Sequence, residues 1–124
     1  MVDGGVCDAI PIQRAIDDGF HKNVVILTRN KGYRKKDKDF YLPGFIYKQY
    51  PAIREQLKVR YKRYNEVLDY IDQLEAEGKV FVIRPENKIE VGRTESNTEK
   101  LEALYEEGYA LAERLVGAAI TAAR

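Results

Sequence analysis

Apolar residues fall along this chain in two rhythms. Val24-Val25-Ile26-Leu27 and Val80-Phe81-Val82-Ile83 are unbroken apolar runs, the form taken by strands of a parallel sheet covered on both faces. They predict strands over Asn23 to Thr28 and Lys79 to Arg84, the second stopped by Pro85. Elsewhere the apolar positions recur at steps of three and four, the helical period. Ile12, Ala15 and Ile16 mark a short helix entered at Pro11 and closed by Gly19. Ile53, Leu57, Tyr61, Tyr64, Leu68, Ile71 and Leu74 mark a long one from Pro51 to about Glu77, with Gly78 at the capping position that favours glycine. A last helix spans about Thr98 to Ala123, with its apolar residues from Leu101 to Ile120 on one face. Ser96 and Glu99 have the spacing of a capping box at its start, and Gly108 within it predicts close packing against a neighbour. Two strand runs flanking one long helix form a βαβ unit, so the strands should be parallel.

The first residues carry the candidate chemistry. Asp3 stands directly before Gly4-Gly5, and two glycines let the backbone turn sharply or pass close to another group. An acid fixed there is a turn-former or a placed base. Val2 to Val6 reads as the end of a strand or hairpin, Cys7 as a small buried residue, Asp8 as a loop or helix-cap residue, and His21 as a loop residue. The order turn, helix, buried strand belongs to the middle of an α/β domain. The expectation is therefore a chain that forms the back part of an enzyme, beginning just ahead of its catalytic aspartate.

Between the first strand and the long helix the chain is basic, then aromatic. Arg29, Lys31, Arg34, Lys35, Lys36 and Lys38 crowd one loop with Asp37 as its only acid. Such a loop is either a solvated surface or a patch for anionic phosphate on a lipid surface or nucleic acid. It leaves the C-terminal end of a predicted strand, where α/β enzymes place ligands. Phe40 to Tyr50, rich in Phe and Tyr, is either a lid or acyl-chain wall or, the favoured reading, an ordered loop and short helix on the core.

Composition narrows the function classes. The chain has 124 residues, and 21 Lys+Arg against 20 Asp+Glu give a net charge of +1. One domain and no polyanionic partner are the defaults, and no nucleic acid is expected. A single cysteine suits a reducing compartment, and the absence of a long apolar run or signal peptide points to a cytoplasmic protein. One His, one Cys and one Ser cannot make a Cys/His zinc site, and Ser96 lacks the Gly-x-Ser-x-Gly elbow of a nucleophile. No phosphate-binding glycine loop is present. The expectation is an absence of metal and cofactor.

The segments Val2-Asp3-Gly4-Gly5-Val6-Cys7-Asp8-Ala9-Ile10-Pro11, Ala15 to Gly19, Val24 to Arg29 and Gly32-Tyr33-Arg34-Lys35, taken in order, resemble the C-terminal half of a bacterial patatin-like phospholipase. Val82-Ile83-Arg84-Pro85-Glu86 and Lys100-Leu101 through Gly108 resemble that family's closing segment. The resemblance implies an α/β chain that is the C-terminal portion of a three-layer αβα fold. It implies lipid acyl-ester hydrolysis by a Ser-Asp dyad, in which no histidine takes part. Asp3 would be the dyad's base, and Gly4 and Gly5 would shape its turn. Apart from the resemblance, the charge of the basic loop makes Arg29, Lys31, Arg34 and Lys35 the candidate contacts to a peripheral anionic membrane surface. The family's nucleophile and oxyanion loop lie upstream of these segments, so the chain alone is expected to be inactive. Its unpaired apolar edges should make it self-associate. From another class, a small non-enzymatic module could bind anionic lipid or nucleic acid through the basic loop and helix.

Overall fold

A computed structural model describes residues 4–36, 45, 48–92 and 94–124. Its elements are a 3-10 turn at Gly4–Val6, then α1 (Ile12–Asp17), β1 (Asn23–Ile26), α2 (Pro51–Ala76), β2 (Val80–Ile83) and α3 (Thr98–Ala123). The two strands pair in parallel, with Asn23 beside Val80 and Ile26 beside Ile83. The bond from Leu27 N–H to Ile83 O (2.8 Å) extends the ladder by one step. The parallel βαβ unit read from the two apolar runs is present, and the described residues make a mixed α/β protein.

Both glycine stops work through left-handed backbone. At the end of α1, Gly19 (φ 94°) donates to Ile16 O and Phe20 N–H to Ala15 O, both 3.0 Å. At the end of α2, Gly78 (φ 71°) donates to Glu75 O at 3.0 Å and Lys79 N–H to Leu74 O at 2.9 Å. Both are Schellman caps, which satisfy the last carbonyls and turn the chain sharply into the strand that follows.

One cluster forms the core: Ile12 from α1, Val25 and Leu27 from the first strand and its exit, Leu68, Ile71 and Leu74 from α2, and Val80 and Val82 from β2. Ile71 is fully buried at its centre. α3 touches β2 and β1, and buries Leu111 and Ala119 outside that cluster. Arg84, just past β2, is 11% exposed and pairs with Asp72 (2.7 Å) and Glu75, which ties the strand exit to α2.

The helices outrun the sheet. Each long helix extends about 39 Å and each four-residue strand about 13 Å, so much of either helix has no strand beneath it. The accessible surface is 9410 Å², against about 6800 Å² for a compact monomer of this mass. Several expectations fail for this reason. β1 is fully covered on one face only: Val25 and Leu27 are buried, while on the face that α3 reaches Val24 (44%) and Ile26 (73%) stay exposed. On α3, Leu101, Tyr105, Val116 and Ile120 of the expected core stripe are exposed. A Cβ on Gly108 would meet nothing within 4 Å, so close packing is not why a glycine stands there.

Local corrections follow at the helix starts. The turn read at Gly4-Gly5 is a 3-10 turn over Gly4–Val6, and Val2 and Asp3, read as the strand end before it, lie outside the described residues. The N-cap of α3 is Asn97, whose side chain accepts from Lys100 N–H (3.3 Å), so Ser96 and Glu99 do not form the capping box. Glu95 holds the approach instead, accepting from Ser96 N–H (3.1 Å) and Asn97 N–H (3.0 Å). α1 starts at Pro11 with no side-chain cap, so Asp8 does not serve there, and Cys7 is exposed. Most of the aromatic segment Phe40 to Tyr50 lies outside the described residues, as do Asp37 and Lys38; Phe45 and Tyr50 are exposed.

Candidate functional site

Asp3, the candidate base, lies outside the described residues. The turn that follows it is described. Gly4 O accepts from Cys7 N–H (3.1 Å) and Asp8 N–H (2.9 Å), which closes one tight turn, and a Cβ on Gly4 would meet nothing within 4 Å. Gly5 to Ile10 then lie against α2 and enclose, with Arg60, Arg63, Tyr64 and Val67, a cavity of about 20 Å³. That volume suits one water molecule and not a substrate.

The basic loop reaches the same stretch of α2. Asn30 O accepts from Tyr33 N–H (3.2 Å) across a turn in which Gly32 takes φ 80°. Arg29 sits 5.2 Å over the Tyr33 ring, and Tyr33 meets Tyr64 edge-on with ring centres 6.3 Å apart. Lys35 Nζ lies 5.2 Å over the Tyr64 ring. Asn65 clamps the loop backbone, accepting from Lys35 N–H at 2.7 Å and donating to Lys35 O at 3.0 Å. Arg34 pairs with Asp69. Lys31 is exposed.

The glycine turn and the basic loop, separate in sequence, therefore meet at Tyr64. Its phenol is half-buried, and that burial pushes its pKa up, with Tyr33 beside it pushing the same way and Arg29 and Arg60 opposing. Tyr64 and Asn65 were not singled out from the sequence as site residues. Tyr64 reads there as one more apolar stripe position, and Arg60 and Arg63 as part of a basic face. An asparagine inside a long helix was the available signal, because its side chain favours bonding to backbone over helix.

The arrangement offers anchoring and positive charge rather than a complete reaction centre. Cys7 lines the turn cavity, and His21 lines a groove of about 500 Å³ between the strands and α3. Ser96 precedes α3 with its N–H held by Glu95. The three are at different places in the fold. Among the described residues no group of three His, Cys, Asp or Glu is gathered to hold a metal, and no helix is long and apolar enough to cross a membrane.

The described residues thus define a mixed α/β protein built on a βαβ unit. Residues 50–118 match the model of a domain family of unknown function, DUF6363. This is more than half of the chain, and the chain belongs to that family. The matched stretch spans α2, β2 and most of α3, and leaves out the glycine turn, β1 and the basic loop. No curated protein and no solved structure matches the chain.

Proposed function

We propose that this chain is the C-terminal part of a patatin-like lipid acyl hydrolase, a cytoplasmic enzyme with a three-layer αβα fold, and that it supplies the dyad aspartate, Asp3. The observation that carries the reading is β1. This strand follows the Asp-Gly-Gly segment, pairs with β2 along one edge, and leaves Val24 and Ile26 open to solvent. An apolar strand with an open face is what a sheet presents where further strands and a helix would cover it. The turn after Asp3 lies on α2 at Arg60, Arg63 and Tyr64, and a rigid helix is the kind of support a placed base needs.

In this reading a serine from upstream attacks the ester carbonyl while Asp3 takes its proton. Asp3 then returns that proton to the leaving oxygen, so the alcohol departs, an acyl-serine remains and the carboxylate is free again. Water, deprotonated by the same aspartate, then releases the fatty acid and restores the serine. No cofactor enters either step. Arg29, Lys31, Arg34 and Lys35 would meet an anionic membrane surface, with Lys31 and Arg34 the exposed pair among them. The pure 124-residue chain is expected to turn over no p-nitrophenyl ester. Ester hydrolysis by it that survives purification to homogeneity would overturn the reading.

A second reading draws on the meeting of the loop with α2. Lys35, Arg60 and Arg63 gather around Tyr64, and Lys62 lies over the Tyr61 ring on another face of the same helix turn, which suits a non-enzymatic module for anionic lipid or nucleic acid. Binding to anionic vesicles or DNA that weakens steeply with salt, by a chain whose longer form has no esterase activity, would favour it.

A further inference from the structure

α3 has more apolar surface than the sheet uses. Leu104, Leu111, Leu115 and Ala119 face the body of the protein, buried or half-buried. A second line, Leu101, Tyr105, Tyr109, Ala112, Val116 and Ile120, runs beside it. All of these except the half-buried Ala112 are exposed, Tyr105 at 66%. At 100° per residue the six positions fall within an arc of about 100° and extend along about 28 Å of helix. The Tyr105 and Tyr109 rings adjoin, 6.3 Å between centres and tilted by 31°.

The spacing of this line is symmetric about the midpoint between Ala110 and Leu111. Read in opposite directions, it sets Leu101 against Ile120, Tyr105 against Val116 and Tyr109 against Ala112. Each level then pairs a large side chain with a smaller or branched one. A pattern that complements itself on reversal is the requirement for a two-fold, isologous contact. Charge selects the same direction. Glu99, Glu102, Glu106 and Glu107 crowd the first half of α3, whereas Val116 to Ala123 carries no charge. Of these, Glu102 and Glu106 flank the exposed line, and a parallel pair would bring them against their own copies, whereas Glu107 is turned to Asn87 of the same chain. An antiparallel pair sets the acidic half of each helix against the uncharged half of the other.

We infer that α3 pairs antiparallel with α3 of a second copy of this chain, in the register Leu101–Ile120, Tyr105–Val116, Tyr109–Ala112. The inference does not rest on the acyl-hydrolase reading. The six side chains expose on the order of 500 Å² per copy, about 1000 Å² in the pair, the lower bound for a specific interface. The dimer is therefore expected to be reversible.

Two experiments on the full 124-residue chain test the pairing. Light scattering at roughly 100 µM should give twice 14.3 kDa, falling towards the monomer on dilution. The double variant Tyr105→Glu/Tyr109→Glu should remain monomeric with an unchanged helical circular-dichroism spectrum. Register is read by cysteine pairs in a Cys7→Ser background, since Cys7 is exposed. Leu101→Cys/Ile120→Cys together should oxidise to a covalent dimer. Either cysteine alone should not, because its copies would sit about 28 Å apart, far beyond the ~7 Å Cα separation a disulfide spans. A monomer at the higher concentration overturns the pairing and leaves the stripe to another segment or protein. A dimer that persists in the glutamate variant, or linkage through a single cysteine, overturns it as well.

Discussion

Two isoleucines give the sharpest test of where this protein keeps its core. Ile71 is 0% exposed, inside a cluster fed by α1, both strands and α2, whereas Ile26, on a strand of the same sheet, is 73% exposed. Truncation to alanine removes the same three carbons from each. At Ile71 the lost transfer free energy is about 2.4 kcal/mol, from ~0.8 per buried carbon. The surrounding residues come from four elements and cannot all collapse inwards, so a cavity cost is added, for about 3–4 kcal/mol in all. With a urea slope of about 2 kcal/mol per molar, the unfolding midpoint of Ile71→Ala should fall by roughly 1.5–2 M. Ile26→Ala should move it by less than about 0.3 M, since an exposed substitution is worth within about 0.5 kcal/mol. Both variants are compared with the parent by urea titration at low protein concentration. Equal losses at the two positions would refute the reasoning, because the outer face of β1 would then be covered in solution.

Other expectations follow from backbone and charge. Gly78→Ala should destabilise by about 1–2 kcal/mol, because φ 71° is left-handed. Gly108→Ala should stabilise by up to about 1 kcal/mol, because its Cβ enters open space in a helix interior; thermal melts of the two should move in opposite directions. The Asn97 and Ser96 amides beside Glu95, with Lys100 nearby, hold its carboxyl below the usual carboxylate range. A lowered folded-state pKa adds stability above the ordinary glutamate value and loses it as pH falls through the folded one. The Asn97 amide should therefore titrate below the ordinary range in an NMR pH series, and Glu95→Gln should remove that titration. Midpoints at or above the ordinary glutamate value would contradict the contact.

How much of this was legible in the sequence depends on whether the cause was local. The glycine stops at Gly19 and Gly78, the start and length of α3, and the parallel pairing of Val24 to Leu27 with Val80 to Ile83 were legible, because caps and apolar runs act over a few residues. What failed was coverage. An apolar run states that a strand can be buried on both faces; it does not state how far the neighbours reach, and α3 covers the second face of β1 only in part, leaving Val24 and Ile26 exposed. The apolar arc of α3 was read as one core stripe, yet only its Leu111 and Ala119 side is buried and Tyr105 faces solvent. The cap of α3 moved by one residue because Asn97 reaches Lys100 N–H while Glu95 holds the approach. At the candidate site, Gly4, Gly5 and the cations from Arg29 to Lys35 were legible as separate features. Their meeting at Tyr64 was not, since it depends on two loops crossing the same turn of α2.

The central claim is that Asp3 serves as the base of a Ser-Asp dyad. Its most direct test starts from the coding sequence upstream of Met1, which the proposal predicts to continue in frame into a longer protein. That protein should contain Gly-x-Ser-x-Gly, hydrolyse p-nitrophenyl esters and react with a fluorophosphonate probe. Asp3→Asn should lower its kcat by about 10²–10⁴-fold while leaving its unfolding midpoint in place. An esterase rate unchanged by Asp3→Asn, or an upstream sequence without that serine motif, would contradict the account.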